Sequence, residues 1–320
     1  MFILQNNKLM YSDQTEKRME GLGKRANWQV WWRLLRPHTL TAAFVPVSIG
    51  TALALNEGQI NYPLFITMLF ASLIIQAATN MFNEYYDYVK GLDTADSVGI
   101  GGTIVRDGVQ AATVLRIAIA FYAAALVAGF YICYATSWWL AAIGLACMAA
   151  GYLYTGGPYP IAYTPLGELL SGILMGLTII LISYFIQTRN ITLQSVLISV
   201  PITVLIGGIL LANNIRDLDG DRTKGRHTLP ILIGRSRAVT LLGLLFIFSY
   251  FWIIGMVLMS IASSWSLLTL VGIPKARQAV LGFRGKKQAV EMMPAMQATA
   301  QTNTIFGLSL AAGLVISCWF

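Results

Sequence analysis

Apolar positions along the 320 residues fall in long runs, without the alternation or three-four spacing that marks the half-buried elements of a soluble fold. A helix that crosses a membrane needs about 20 mostly apolar residues. The runs predict spans near 39–56, 64–86, 111–131, 138–156, 167–186, 193–213, 238–258, 263–281 and 303–319. Residues 241–273 form one apolar run of 33, too long for a single span and tight for two. Ser260-Ile-Ala-Ser-Ser264 offers small polar residues for a turn within it. The expected fold is all-α: a polytopic membrane protein of nine transmembrane helices, one domain over 1–320, with 1–26 as a disordered N-terminal segment. That segment is basic and Gln/Asn-rich and lacks the pattern of a cleavable signal.

Composition agrees with a lipid solvent. Hydrophobic residues make up 56% of the chain and charged ones 11%, against roughly 25% in an ordinary soluble domain. Disorder throughout, a coiled coil and a disulfide scaffold are all excluded. Cys133, Cys147 and Cys318 lie in apolar stretches, have no bridge or metal spacing, and read as small buried hydrophobes.

The net charge of +8 would suit a nucleic-acid partner if the basic residues formed a patch, but they lie in loops between apolar runs. With nine spans and a cytoplasmic N-terminus, 21 of the 22 Lys and Arg face the cytoplasm and Arg189 alone faces out. Fusing the seventh and eighth spans would move five of them outside, so the positive-inside rule favours nine, with the C-terminus outside. Of the 14 acidic residues only Glu57 falls outside. The others gather at cytoplasmic helix ends, which places a site opening toward the cytoplasm in a multi-pass cell-membrane protein.

Two acidic segments, after the second and sixth spans, share a pattern four spans apart. One runs from Asn80 through Asn83, Glu84 and Asp87 to Lys90, Asp93 and Asp96. The other runs from Asn213 and Asn214 through Arg216, Asp217, Asp219, Asp221 and Arg222 to Lys224 and Arg226. This resembles a parallel repeat of four-helix halves. At about 100° per residue, Asn80, Asn83 and Asp87 share one helical stripe; Asn214, Asp217 and Asp221 share another, with Gly220 weakening its last step and Asp219 pointing away. Carboxylates gathered at a membrane edge repel unless neutralised. Hard oxygen ligands suit Mg²⁺, which takes one or two carboxylates together with phosphate oxygens. Two such clusters with interspersed Lys and Arg are what a Mg²⁺-bridged diphosphate requires. Solvated interfacial charge would explain one cluster; it explains two with matched spacing poorly. No His/Cys cluster stands for zinc or haem.

The loop from Gly99 to Gly108 is glycine-rich, but without a Walker lysine or strand context it reads as a linker. Tyr152, Tyr154, Tyr159 and Tyr163 fit an interfacial aromatic belt, and in a closed pocket would instead shield a carbocation. His38 and His227 read as structural, and Trp138-Trp139 as a membrane anchor.

On the Asn83–Asp96 and Asn214–Asp221 motifs, the sequence resembles the UbiA superfamily of intramembrane aromatic prenyltransferases. The likeness extends from Arg36-Pro-His-Thr-Leu40 to Gln297-Ala-Thr-Ala-Gln301. Gly102-Thr-Ile-Val-Arg106-Asp107-Gly108, Gly156-Gly-Pro-Tyr-Pro-Ile-Ala-Tyr163 and Gly167-Glu168 resemble the branch that prenylates 1,4-dihydroxy-2-naphthoate in menaquinone biosynthesis. The resemblance implies a ring of nine helices around a central cavity capped by the acidic motifs. It implies that Asn83, Asp87, Asn214, Asp217 and Asp221 hold a Mg²⁺–diphosphate assembly, with Asp93 as a displaced motif member. Glu84 replaces the first Asp of the family pattern, and Arg226 stands where a Lys is common. Arg106, Lys224, Arg226, Tyr154 and Tyr163 become the substrate-binding residues. The implied reaction joins a polyprenyl diphosphate to the naphthoate with loss of diphosphate and CO₂, giving demethylmenaquinone. Another aromatic acceptor, such as 4-hydroxybenzoate, is the alternative within the fold. An ion-coupled transporter is the alternative outside it, and carboxylates at the helix ends instead of the midplane count against transport.

Overall fold

The computed structural model describes residues 28–93 and 102–319, and every regular element among them is a helix. The expectations for residues 1–26, Asp96 and the glycines at 99 and 101 lie outside the described residues.

In chain order the elements are α1 (Trp28–Leu35), α2 (Thr41–Leu55), α3 (Tyr62–Val89), α4 (Thr103–Asp107), α5 (Ala111–Ala135) and α6 (Trp139–Leu153). Then come α7 (Gly167–Ser171), a π-turn (Gly172–Leu177), α8 (Thr178–Thr188), α9 (Leu193–Thr223), α10 (Leu229–Ile233), α11 (Arg235–Leu258), α12 (Ile273–Phe283) and α13 (Ala289–Ile316). Each of the nine apolar runs falls on helix. Among the described residues, six helical segments are long and apolar enough to cross a membrane: α3, α5, α7–α8, α9, α11 and α13. A seventh is made by α1 and α2 if they form one span bent by 52°. α6 has 15 residues, and the run over 264–283 is a 3₁₀ stretch followed by the 11-residue α12. The turn expected near 260–264 is present. α11 stops at Leu258, Ser260 takes a left-handed conformation, and the Ser263 hydroxyl accepts from the Trp265 N–H.

Lipid is as apolar as leucine, so these helices associate through close contact and polar links more than through expulsion of water. α9 is the central helix: 67% of its apolar stretch is buried, against 28% for α5. α2, α11 and α13 pack around it. Between α2 and α13, Asn303 donates to the Thr41 hydroxyl at 3.1 Å, and Thr41 and Thr304 share a hydrogen bond of 2.7 Å. Each such link contributes about 0.6 kcal/mol in a bilayer.

The break in the first span follows from Pro37, which disfavours helical geometry at the preceding residue. Arg36 leaves helical geometry there and takes a left-handed conformation, with φ 50°. The break leaves the Leu35 carbonyl without a helical partner, and the Asn80 amide supplies one at 3.1 Å while also donating to the Thr39 hydroxyl at 2.8 Å. Asn80 is thus engaged in structure. Of the cysteines only Cys133 is fully buried; Cys147 is half-buried and Cys318 is exposed, so the buried reading holds for one of three.

Candidate active site

Two helices deliver the acidic motifs, and both end the same way. At the end of α3, Gly91 is left-handed (φ 67°), its N–H bonds the Tyr88 carbonyl, and the Leu92 N–H bonds the Asp87 carbonyl at 2.7 Å. At the end of α9, Gly225 is left-handed (φ 74°), its N–H bonds the Arg222 carbonyl, and the Arg226 N–H bonds the Asp221 carbonyl at 3.0 Å. Both are Schellman caps, which need a residue free to adopt positive φ. Superposing the caps pairs Asp87 with Asp221, Lys90 with Lys224, Asn83 with Asp217 and Asn80 with Asn214. α9 runs unbroken through Gly220, so the Asn214–Asp217–Asp221 stripe is intact. Asp219 lies off the stripe, largely exposed and paired with Arg235 at 2.9 Å.

The second cap turns the chain back over its own helix, and this brings Arg226 between the two motifs. Its guanidinium lies 2.8 Å from Asp87 Oδ1 and 3.2 Å from Asp221 Oδ1. The guanidinium also stands over the Tyr163 ring at 5.1 Å, and the Lys90 ammonium over the same ring at 5.3 Å, both within cation–π range. Tyr163 is fixed there because its carbonyl accepts from the His227 N–H at 2.9 Å. Burial works against the charge on Arg226, but the Asp87 and Asp221 carboxylates hold it more firmly protonated than usual.

The remaining expected residues take distinct places. Asp217 is held by its neighbour Arg216 in a two-pronged pair of 2.7 and 2.5 Å, with Arg216 also against Met296 Sδ. Asn83 Oδ1 accepts from the Thr155 hydroxyl at 2.7 Å, and Asn214 Nδ2 donates to Glu168 Oε1 at 2.9 Å. The Lys224 ammonium donates to the Leu92 carbonyl, tying one cap to the other. Asp93 follows directly; burial, with the Asp87 and Glu84 carboxylates nearby, pushes its carboxyl above the usual range. Arg106 sits exposed on α4, with its guanidinium folded over Gly102. The loop tyrosines divide. Tyr154 lines the cavity described below and Tyr163 lies under the cations, while Tyr159 is fully exposed and Tyr152 pairs with Tyr86 through their hydroxyls at 2.6 Å.

Glu84, at the place of the first motif Asp, is completely buried. It accepts from the Thr103 hydroxyl and from the Ile104 N–H at 3.1 Å, and lies 3.7 Å from the Arg36 guanidinium. It therefore clamps α4 and the break of the first span onto α3. Lys90, Thr155 and Glu168 contact the motif residues or the same tyrosines without having been assigned roles from sequence. For Lys90 the signal was present, because Asp-x-x-Lys-Gly occurs at both 87–91 and 221–225.

The donor set fits Mg²⁺. Asp221 Oδ2 is buried without a hydrogen-bond partner, and the acidic side chains and amides are hard oxygen donors. Among the described residues no three His, Cys, Asp or Glu side chains stand close enough to hold a metal alone. A cation here would share its coordination with phosphate oxygens and water, as Mg²⁺ ordinarily does.

Beside the motifs lies a cavity of about 450 Å³, with mostly apolar walls. Its polar end includes Arg36, Asn80, Asn83, Tyr154 and Asn213. Its far side includes Leu126 and Phe130 of α5 and Leu145 of α6, which are 48%, 62% and 55% exposed. The cavity is therefore continuous with the outer surface between α5 and α6.

The sequence profile of the UbiA prenyltransferase family matches residues 43–297. The 1,4-dihydroxy-2-naphthoate octaprenyltransferase of Bacillus subtilis (strain 168) is 54% identical over 304 residues, 95% of this chain and 96% of that protein. The Escherichia coli (strain K12) protein of the same name is 27% identical over 91% of this chain and 96% of its own length. In fold, the structure of a UbiA homologue from Archaeoglobus fulgidus bound to GPP and Mg²⁺ has a TM-score of 0.60 at 16% identity, covering 88% of this chain and 99% of that one. The chain belongs to the UbiA prenyltransferase family.

Proposed function

We propose that this enzyme transfers a polyprenyl group from a polyprenyl diphosphate to 1,4-dihydroxy-2-naphthoate, releasing diphosphate and CO₂ and forming demethylmenaquinone in its reduced, quinol form. The observation that carries the reading is the cavity, whose lining runs from Asn80 and Asn83 of the first acidic segment and Asn213 of the second to the outward-facing Leu126, Phe130 and Leu145. The acceptor is inferred from the 54% identical relative.

Asn83, Asp87, Asn214, Asp217 and Asp221 would hold Mg²⁺, with Asp93 next to them. Bound Mg²⁺ supplies positive charge that stabilises the departing diphosphate. Arg226, Lys224 and Lys90 would take phosphate oxygens, and Arg226 spans the two motifs. The allylic C–O bond breaks with its electron pair leaving on the diphosphate. The Tyr154 ring at the polar end faces the resulting allylic cation, whose charge a π-face stabilises. Apolar walls exclude the water that would quench it. The ring carbon bearing the carboxylate attacks, and the electrons of the broken C–CO₂ bond return to the ring as CO₂ departs. The isoprenoid tail leaves the cavity between α5 and α6.

In the cell membrane, the N-terminus and the acidic motifs would lie at the cytoplasmic face. The chain would cross nine times, because 21 of the 22 basic residues then lie on one side. The deciding experiment presents membranes containing the protein with a polyprenyl diphosphate, Mg²⁺ and a panel of aromatic acids. The naphthoate should be prenylated with one CO₂ released per product. Turnover of 4-hydroxybenzoate with none of the naphthoate would overturn the acceptor and leave the family assignment standing.

A further inference from the structure

We propose that Glu168 is a positioning residue that fixes the side-chain amide of Asn214 so that its carbonyl oxygen is the atom presented on the stripe shared with Asp217 and Asp221. An asparagine side chain ends in a donor and an acceptor of nearly equal size, and a half-turn exchanges them. Beside a cation the two ends have opposite effects, since the oxygen is a ligand and the NH₂ is repelled. A site that depends on this oxygen needs something to hold the amide one way round.

Glu168 does this by its chemistry. A carboxylate oxygen accepts, and Glu168 Oε1 takes its 2.9 Å bond from the Nδ2 end of Asn214. Thr155, the partner of Asn83, cannot make such a choice, because a hydroxyl both donates and accepts. The two motif asparagines are therefore held differently, one with its orientation enforced and one without.

The backbone is built to bring Glu168 this close. Gly207 and Asn214 lie seven residues apart, two turns along one face of α9. A Cβ on Gly207 would stand 2.8 Å from the Glu168 carbonyl oxygen, so a glycine there lets α7 approach that face. Glu168 is itself buried, and its second oxygen, Oε2, has no hydrogen-bond partner. A buried carboxylate with one neutral partner is costly to keep, and packing α7 on α9 does not require it.

The pseudo-repeat separates the two roles. Asn80, the counterpart of Asn214, uses its NH₂ on the Leu35 carbonyl and the Thr39 hydroxyl, while its oxygen accepts from Gln76 at 3.4 Å. At this position of the repeat the first half spends its amide on holding the broken span. The second half ties up only the NH₂, through an acceptor from a neighbouring helix.

This inference rests on the proposed Mg²⁺–diphosphate site, and its test uses binding as well as turnover. Mn²⁺ binding to the purified full-length protein, in the presence of inorganic pyrophosphate, is measured by electron paramagnetic resonance. Glu168→Leu should weaken Mn²⁺ about tenfold, the usual effect of removing a group that orients a ligand. Glu168→Gln, nearly isosteric, should fall between it and the unaltered protein, because a neutral amide can bond either end of Asn214. Asn214→Leu should also weaken Mn²⁺, and adding Glu168→Leu to it should cost little more, since the first change removes the group that the second one orients. In turnover, the Mg²⁺ concentration for half activity should rise while KM for the naphthoate stays put. Unchanged Mn²⁺ affinity in both Glu168 variants would overturn the inference, as would losses that simply multiply in the double variant. If the unaltered protein bound no Mn²⁺ with pyrophosphate, the proposed function would fall and this inference with it.

Discussion

Asp87 and Asp221 hold the same place in two helices, each three residues before a lysine and four before a left-handed glycine, and both carboxylates grip the guanidinium of Arg226. That relationship makes one site of two distant segments. The identical caps fix where each helix stops, and the second stop turns Arg226 toward both carboxylates. Because Arg226 is the residue that follows the second cap, its reach across to Asp87 is a consequence of how α9 ends.

From this follows the behaviour of the acidic pair. Asp87→Asn and Asp221→Asn should each lower turnover by about 10² or more, since the amide no longer offsets the cations on which ionisation depends. Groups acting as a unit are strongly non-additive, so the double variant should be little worse than either single one. Asp219→Asn, off the stripe and exposed, serves as the control with near-normal turnover. Full activity in both singles would break the shared-site reading.

Arg226 tests the same geometry from the cationic side. Its side chain is 14% exposed and that of Asp221 is 7% exposed, so removing the guanidinium leaves a carboxylate buried and unpaired. Arg226→Ala should destabilise the protein by about 3–5 kcal/mol, seen as a lower thermal midpoint in detergent. Arg226→Lys should recover only part of that, because a single ammonium does not reproduce a planar fork meeting two carboxylates. Equal midpoints for Lys and Arg would show that only the charge matters.

Much of this was legible in the sequence. The apolar runs located every long helix, and the Ser260–Ser264 turn was visible as a cluster of small polar residues. The stripe of Asn214, Asp217 and Asp221 followed from helical periodicity alone, even with Gly220 inside it. What periodicity could not supply was the partner of each polar group, which depends on contacts across the fold. Asn80 shares a face with Asn83 and Asp87, yet it is drawn away by a carbonyl freed at Pro37, more than forty residues earlier. Glu84 fills a motif position, yet it faces α4 and Arg36.

For Glu84 the expectation is a structural effect. Glu84→Ala removes the acceptor for Thr103 and Ile104 and the counter-charge for Arg36, so the thermal midpoint should fall sharply. The Mg²⁺ concentration needed for half activity should not move. A shift in that concentration at an unchanged midpoint would instead place Glu84 among the metal ligands.

Orientation can be read from a native residue. Cys318 is exposed just beyond α13, with its thiol near Asn56 of the α2–α3 connection. In intact cells a membrane-impermeant thiol reagent should label Cys318, and Cys318→Ser should abolish the labelling. Labelling only after the cells are opened would reverse the assigned orientation.

The lateral opening of the cavity makes a prediction about donor length. Gly129 on α5 and Gly144 on α6 both line the cavity, and a Cβ on either would meet nothing within 4 Å. Leu126, Phe130 and Leu145 line the same stretch while facing outward, and Phe130 meets Trp138 edge-on at 5.4 Å. A long isoprenoid threaded between α5 and α6 must pass these two glycines. A short one, with its diphosphate at the motifs, ends before reaching them. Gly129→Leu and Gly144→Leu add bulk to free space without displacing a packed neighbour, so both variants should fold with unchanged midpoints. With octaprenyl diphosphate, kcat/KM should fall about tenfold, equivalent to about 1.4 kcal/mol of lost transition-state binding. With geranyl diphosphate it should stay close to that of the unaltered protein, because the reacting end is untouched. The ratio of the two donors is the measurement, since a general loss of activity cancels from it. An unchanged ratio in both variants would mean that the tail leaves by another route.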